Sequence, residues 1–103
     1  MWLTALSTVF SREGDKIELC GVVTIDNVVG LTQQGIALLS DRSLIIDLAK
    51  VTEMDSTIVS MLLEWLRVAH KNECNLQFIN LPDNLRSLVQ LYGVADVIMI
   101  SAN

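Results

Sequence analysis

The chain has 103 residues, 51% of them hydrophobic, and a formal net charge of −5. This excludes a disordered chain and allows one domain with one core. The seven Lys and Arg residues are scattered, which excludes the clustered cations of a nucleic-acid surface, and no apolar run reaches the ~18 residues that a membrane span requires.

Met1-Trp2-Leu3 is apolar but has neither a basic leader nor a long apolar core, so no signal peptide and no membrane insertion are expected. The expected location is the cytoplasm. Ala5 to Phe10 and Lys16 to Val22 read as two strands of a hairpin. Glu13-Gly14-Asp15 supplies the turn, with Gly14 free to take positive φ. Gly21 reads as a bulge or an exit from the sheet. Asp26 is the expected cap of a helix running to Leu39, with Val28, Val29, Leu31, Ile36 and Leu39 as its apolar side. Gly30 and Gly35 weaken that helix by up to about 1 kcal/mol each, or permit close packing against another helix.

Leu44-Ile45-Ile46-Asp47-Leu48 is short, β-branched and bounded by polar residues. It reads as a buried central strand. Val51 to Thr57 reads as a polar loop, and Ile58 to His70 as the central helix. Asp55 and Ser56 stand where a cap belongs, because a short side-chain oxygen can accept from the free N–H groups of the first turn. A hydroxyl there lies beside the positive end of the helix dipole and tolerates a phosphate. Plotted around the axis, Val59, Leu62, Leu63, Leu66 and Ala69 form one apolar face. Ile58, Met61, Trp65 and Val68 form a second stripe, giving an apolar arc of about 220° against roughly 100° for an ordinary sheet-packed helix. Something besides the sheet must cover it: a neighbouring helix, or another protein. The expectation adopted for Met61 and Trp65 is a partner surface, with self-association of the uncovered patch as a consequence.

Leu76-Gln77-Phe78-Ile79 reads as the next strand. Pro82 and Asp83 mark a helix start, with Asp83 as the cap. Leu85, Leu88, Val89 and Tyr92 form one face, and Gly93 closes the helix. Val97 to Ile100 reads as a final strand. The expected order is β-β-α-β-α-β-α-β over residues 1–103, an α/β fold with a mixed sheet that begins in a hairpin.

Catalytic chemistry has no support in these residues. There is no Gly-rich phosphate loop, and His70 is the single histidine, so neither a two-histidine metal site nor a Cys-His pair is expected. Asp55-Ser56 lacks an accompanying base. Asp47 reads as a carboxylate that organises a loop. Cys20 and Cys74 stand apart and read as small buried residues, not a disulfide or a metal site. No catalytic residue, metal or cofactor is expected.

The hairpin, the strand ending in Asp47-Leu48 and the Asp55-Ser56-Thr57 loop opening a helix together resemble the STAS domain family. The tail, Asp83 to Ile98 with its Leu91-Tyr92 pair, resembles the small STAS subunit of Mla phospholipid-transport ABC complexes. The family usually carries Gly-Leu where this chain has Ile58-Val59, and Ile58 is expected to add apolar surface beside Ser56. The resemblance implies a non-enzymatic subunit, peripheral to the inner membrane, that binds the cytoplasmic ATPase of such a complex through Asp55, Ser56, Thr57, Ile58, Met61 and Trp65. A second reading from the same family is an anti-sigma-factor antagonist, with Ser56 phosphorylated by a partner kinase. Nucleotide binding, a trait of some STAS domains, finds no phosphate loop here.

Overall fold

A computed structural model describes residues 8–100, with the side chains of 99 and 100 left aside. The elements are β1 (Val9–Glu13), β2 (Lys16–Val23), α1 (Val28–Ala37), β3 (Ser43–Asp47), β4 (Val51–Met54), α2 (Thr57–Lys71), β5 (Asn75–Ile79), α3 (Asp83–Leu91) and α4 (Ala95–Ile100). The fold is α/β with a mixed sheet, as the residue pattern implies. β1 and β2 form an antiparallel hairpin closed at the Glu13–Lys16 pair. Gly14 opens its turn at φ +65°, a conformation that only glycine adopts without steric cost. The first strand, expected over Ala5 to Phe10, runs from Val9 to Glu13 and so ends three residues later, and residues 5–7 fall outside the described part.

β2 pairs in parallel with β3, and β3 in parallel with β5. Burial alternates along β2, β3 and β5, so one sheet face is packed and the other is partly open. Ile17, Leu19, Leu44, Ile46, Leu76 and Phe78 come from the packed face and are buried.

Two elements differ from the sequence reading. Val51–Met54 is not loop but strand β4, which pairs in parallel with the far half of β2 (Gly21 to Val23). The register shifts between Gly21 and Val22, which is the bulge that Gly21 foretold. Gly21 has φ +119°, and a Cβ there would meet Thr8 at 3.0 Å. β4 shows no alternation because only Val51 of its four residues is buried. The other difference is Val97–Ile100, which is helix α4 rather than strand. Short apolar runs do not distinguish the two by pattern. What decides is the stop before it: Gly93 N–H donates to Gln90 O at 3.1 Å and Val94 N–H to Val89 O at 3.0 Å, a Schellman closure with Gly93 at φ +71°. Val94 then accepts from Ile98 N–H at 3.0 Å, and the new helix buries Ile98 while Val97 faces out. The same closure ends α2 with Glu73 in the left-handed position at φ 57°, which the sequence did not suggest.

Expected caps also move by one residue. α1 begins after Asn27, not Asp26, and Asn27 spends its amide on Val22 O at 2.9 Å and Thr24 N at 3.0 Å. α3 begins after Pro82, with Asp83 as its first residue, where a carboxylate still favours the helix dipole.

The second stripe of α2 is covered. Ile58 and Trp65 are fully buried, Met61 is 1% exposed and Val68 9%. The expectation that this stripe is an open partner surface is therefore corrected: Ile58, Met61 and Trp65 belong to the core, and the route to self-association through them closes. The cover is α1. The Trp65 indole lies against Gly35, where a Cβ would stand 2.2 Å from Trp65 Cε2, and its Nε1–H donates to Thr32 O at 3.0 Å. Phe10 of β1 packs on the same indole at 6.0 Å between centroids. Asn72 Nδ2–H donates to Leu39 O at 3.1 Å and ties the ends of the two helices. Ile58, being buried, adds nothing to the surface beside Ser56.

Asp47 is buried at the end of β3 and organises the adjacent loop, as read from the sequence. Its Oδ1 accepts from Ala49 N–H at 2.9 Å and Asn80 Nδ2–H at 3.3 Å, and Lys16 Nζ lies 3.5 Å from Oδ2. Burial pushes this carboxyl up, but the hydrogen bonds and the Lys16 charge together outweigh it and hold it below its ordinary value.

Two expected outcomes follow from this packing. Gly30 and Gly35 both lie inside α1, but only Gly35 meets another side chain. Gly30→Ala should raise stability by about 0.5–1 kcal/mol, whereas Gly35→Ala should lower it by roughly 1–3 kcal/mol through overpacking. Trp65→Ala should cost about 3–5 kcal/mol. Chemical denaturation of the three variants gives the order directly. For Asp47, a depressed folded pKa means that its stabilising contribution is present above the unfolded value and is lost as pH falls through the folded one. Denaturation midpoints measured from about pH 6 down to about pH 3 should fall less steeply in Asp47→Asn than in the wild type.

Candidate functional site

The junction of β4 and α2 is held by one carboxylate. Asp55 Oδ1 accepts from Thr57 N–H at 3.0 Å and from the Thr57 hydroxyl, while Oδ2 accepts from Ile25 N–H at 2.9 Å. Asp55 N–H in turn donates to Val23 O at 3.1 Å. The side chain thus caps α2 and fastens the loop before α1 to it. The bonds from Thr57 and Ile25 hold the Asp55 carboxyl below its ordinary value. Of the two capping candidates, Asp55 makes the bond. Ser56 occupies the N-cap position without a side-chain bond to the helix.

Ser56 is therefore exposed and has no side-chain duty to the fold. Thr57 is half-buried, its hydroxyl committed to Asp55. These three residues are brought together as the sequence suggested, whereas Ile58, Met61 and Trp65 lie beneath them in the core.

Two grooves flank the start of α2. One runs between α1 and α2, lined by Val28, Val29, Thr32, Thr57, Ser60 and Glu64 among others. The other runs toward the end of α3, lined by Ser56, Val59, Ser60, Leu63, Tyr92 and Val94 among others. Ser60 borders both, so the first two turns of α2 form a polar ridge between them. Large apolar side chains stand on either side, Val29 at 68% exposed in the first groove and Tyr92 at 52% in the second, and Ile25, 71% exposed, precedes α1. Sequence reasoning missed this part. Val29 and Tyr92 had been placed on the apolar faces of their helices. Val29 sits at the edge of the arc that α1 buries, while Tyr92 lies within the arc of α3 but at its C-cap, past the last helical residue.

The described residues contain no group of three or more His, Cys, Asp or Glu side chains placed to hold a metal, and no helix among them is long and apolar enough to cross a membrane. What the surface offers is shape, apolar area and hydroxyls.

A family model described as "Mlab, STAS domain" matches residues 6–101. The chain belongs to this STAS family. STAS domains are protein-interaction domains. Several solved structures share the fold. The anti-sigma factor antagonist SpoIIAA in its unphosphorylated form superposes with a TM-score of 0.70 at 16% identity, covering 87% of this chain and 84% of that one. An anti-sigma factor antagonist from Mycobacterium paratuberculosis gives 0.72 at 18% identity, covering 89% and 81%. The STAS domain of a SulP transporter from Vibrio cholerae gives 0.59 at 13% identity, covering 89% and 75%. At such identities these likenesses establish the fold. Among curated protein sequences none matches significantly.

The tethering role of Asp55 has a direct test. Asp55→Ala should lower the melting temperature and speed amide exchange at both Ile25 and Thr57, while Ser56→Ala should change neither. Hydrogen exchange followed by NMR separates the two residues, and slow exchange at Ile25 in the Asp55 variant would show that the loop is held by something else.

Proposed function

We propose that this STAS domain is a non-enzymatic accessory subunit that binds the cytoplasmic ATPase of an Mla-like ABC complex for phospholipid transport and supports its assembly or activity. Asp55, Ser56 and Thr57 form the contact, with Ser56 at its centre. The observation that carries this reading is the exposure of Ser56 on the groove that runs toward α3, beside Thr57 and Ser60, which line both grooves, at a helix start already stabilised by Asp55. A side chain with no structural duty on a rigid element is free to serve a partner. The Mlab-type family match supports the choice of an ABC partner, and the STAS domain of a SulP transporter gives a second transport setting for the fold. The domain itself would sit in the cytoplasm, held to the inner membrane through its partner.

A phospho-switch is the alternative reading, and one observation favours it. Ser56 is an exposed hydroxyl at the N-terminus of a long helix, and SpoIIAA has been solved in both unphosphorylated and phosphorylated forms. A phosphate on Ser56 would add close to −2 charge to the ridge, which releases a partner matched to the neutral hydroxyl.

The deciding experiment is a titration of the full chain against the purified ABC ATPase subunit of the same cell. Ser56→Arg should weaken binding at least about tenfold, on the scale of 1.4 kcal/mol or more, with an unchanged circular dichroism spectrum. Ser56→Asp should also weaken it. Wild-type affinity in both variants would remove Ser56 from the contact. Failure of the ATPase to bind, with capture of an anti-sigma kinase that phosphorylates Ser56, would give the function to the second reading.

A further inference from the structure

The second apolar stripe of α2 is core and cannot join two copies of the chain, but the sheet keeps an open edge. Its order is β1-β2-β3-β5, so β1 and β5 lie at the two ends. In β5 only Asn75 is exposed, whereas in β1 every residue except Phe10 is exposed.

The hairpin decides which backbone groups of β1 face outward. Gly14 and Asp15 form a two-residue turn between Glu13 and Lys16. In such a hairpin the pair that closes the turn exchanges both backbone bonds, and so does every second pair after it. The bonded pairs are therefore Glu13–Lys16, Ser11–Glu18 and Val9–Cys20. The far side of β2 agrees, since Gly21 gives its N–H to Lys50 O at 3.0 Å, away from β1. The main-chain N–H and C=O of Phe10 and Arg12 point away from β2, and no hydrogen bond between described residues reaches them.

Unpaired edge groups are a template for another strand. A second β1 carries the same outward groups, and in an antiparallel pair outward residues stand opposite outward residues. Centred on Arg12, the pair would set two like charges directly opposite, which destabilises a sheet. Centred on Phe10, Arg12 would have to meet Thr8, which is buried and lies outside β1. Centred on Ser11, Phe10 of each copy meets Arg12 of the other, and Val9 meets Glu13. No like charges face each other in that register. The Arg12 guanidinium is already held by Asp41 of its own chain, so Phe10 meets the aliphatic stem of Arg12 and not a bare charge.

We infer that two copies of this chain pair through β1, antiparallel about Ser11, and join their sheets edge to edge. A contact of five residues a side is small and reversible. No β1 residue lines either groove beside Ser56, so the pairing is independent of the contact proposed there.

Disulfide trapping reads the register directly. Across a two-fold axis at Ser11 the two Cα atoms of that residue stand about 4.5 Å apart, within disulfide reach. Two Glu13 residues stand about 14 Å apart in the same pair, beyond it. Full-length Ser11→Cys and Glu13→Cys are oxidised side by side in a Cys20→Ser background, Cys74 being buried. Ser11→Cys should be trapped as a dimer at least about tenfold faster than Glu13→Cys. Sedimentation of the wild type at rising concentration should show monomer and dimer only, because a two-fold contact closes on itself. Ser11→Lys sets like charges opposite each other at the axis. It should stay monomeric where the wild type is half paired, with an unchanged circular dichroism spectrum. Equal trapping of the two cysteine variants, a wild type still monomeric at about 1 mM, or a dimer that survives Ser11→Lys would each overturn the inference.

Discussion

The structure turns on the contact between the Trp65 indole and the bare backbone of Gly35. A Cβ at residue 35 would stand 2.2 Å from the ring, so α1 can lie on α2 at this distance only because glycine is there. The indole N–H is satisfied by Thr32 O, one turn away on the same helix. A buried tryptophan therefore enters the core without an unpaired donor. Phe10 seals the indole from the hairpin side. One residue thus joins α2 to α1 and to β1, and the position of every surface group on α1 follows from that clamp.

The candidate site inherits its geometry from the same clamp. With α1 fixed on α2, Val29 is held beside Ser60 and the first groove takes its shape. Asp55 then locks the entry to α1 onto the entry to α2 through Ile25 N–H and Thr57 N–H. The side chain next in sequence, Ser56, is left exposed and unengaged. Adjacent residues divide the labour: Asp55 carries the structural duty, and the Ser56 side chain makes no hydrogen bond to the helix. Hydroxyl and apolar flank are thereby fixed relative to one another.

Position in the fold also explains Asp47, the other carboxylate of the Asp-rich centre of the chain. It closes the end of β3 against Ala49, Asn80 and Lys16. Its environment is buried and paired, where that of Asp55 is at the surface and paired. Both carboxyls are held below their ordinary values by hydrogen bonds.

Local pattern determined much of this protein by itself. The hairpin turn at Gly14, the buried run Leu44 to Leu48, the cap at Asp55 and the stop at Gly93 are legible because each follows from backbone sterics or hydrogen bonding within a few residues. So was the exposed hydroxyl at Ser56, and with it the STAS resemblance. The wide apolar arc of α2 showed that two neighbours must cover that helix, but could not say whether the second was its own domain or another molecule. Tertiary packing decided that. Gly35, distant in sequence, admits Trp65, and Ile58, Met61 and Trp65 become core. It likewise decided that Val51–Met54 joins the sheet, since pairing depends on a bulged partner strand and not on any alternation of its own. Ile25, Val29 and Tyr92 were left at the surface for the same reason. Burial is a property of what lies opposite a side chain, and that is set only once the helices have found their places.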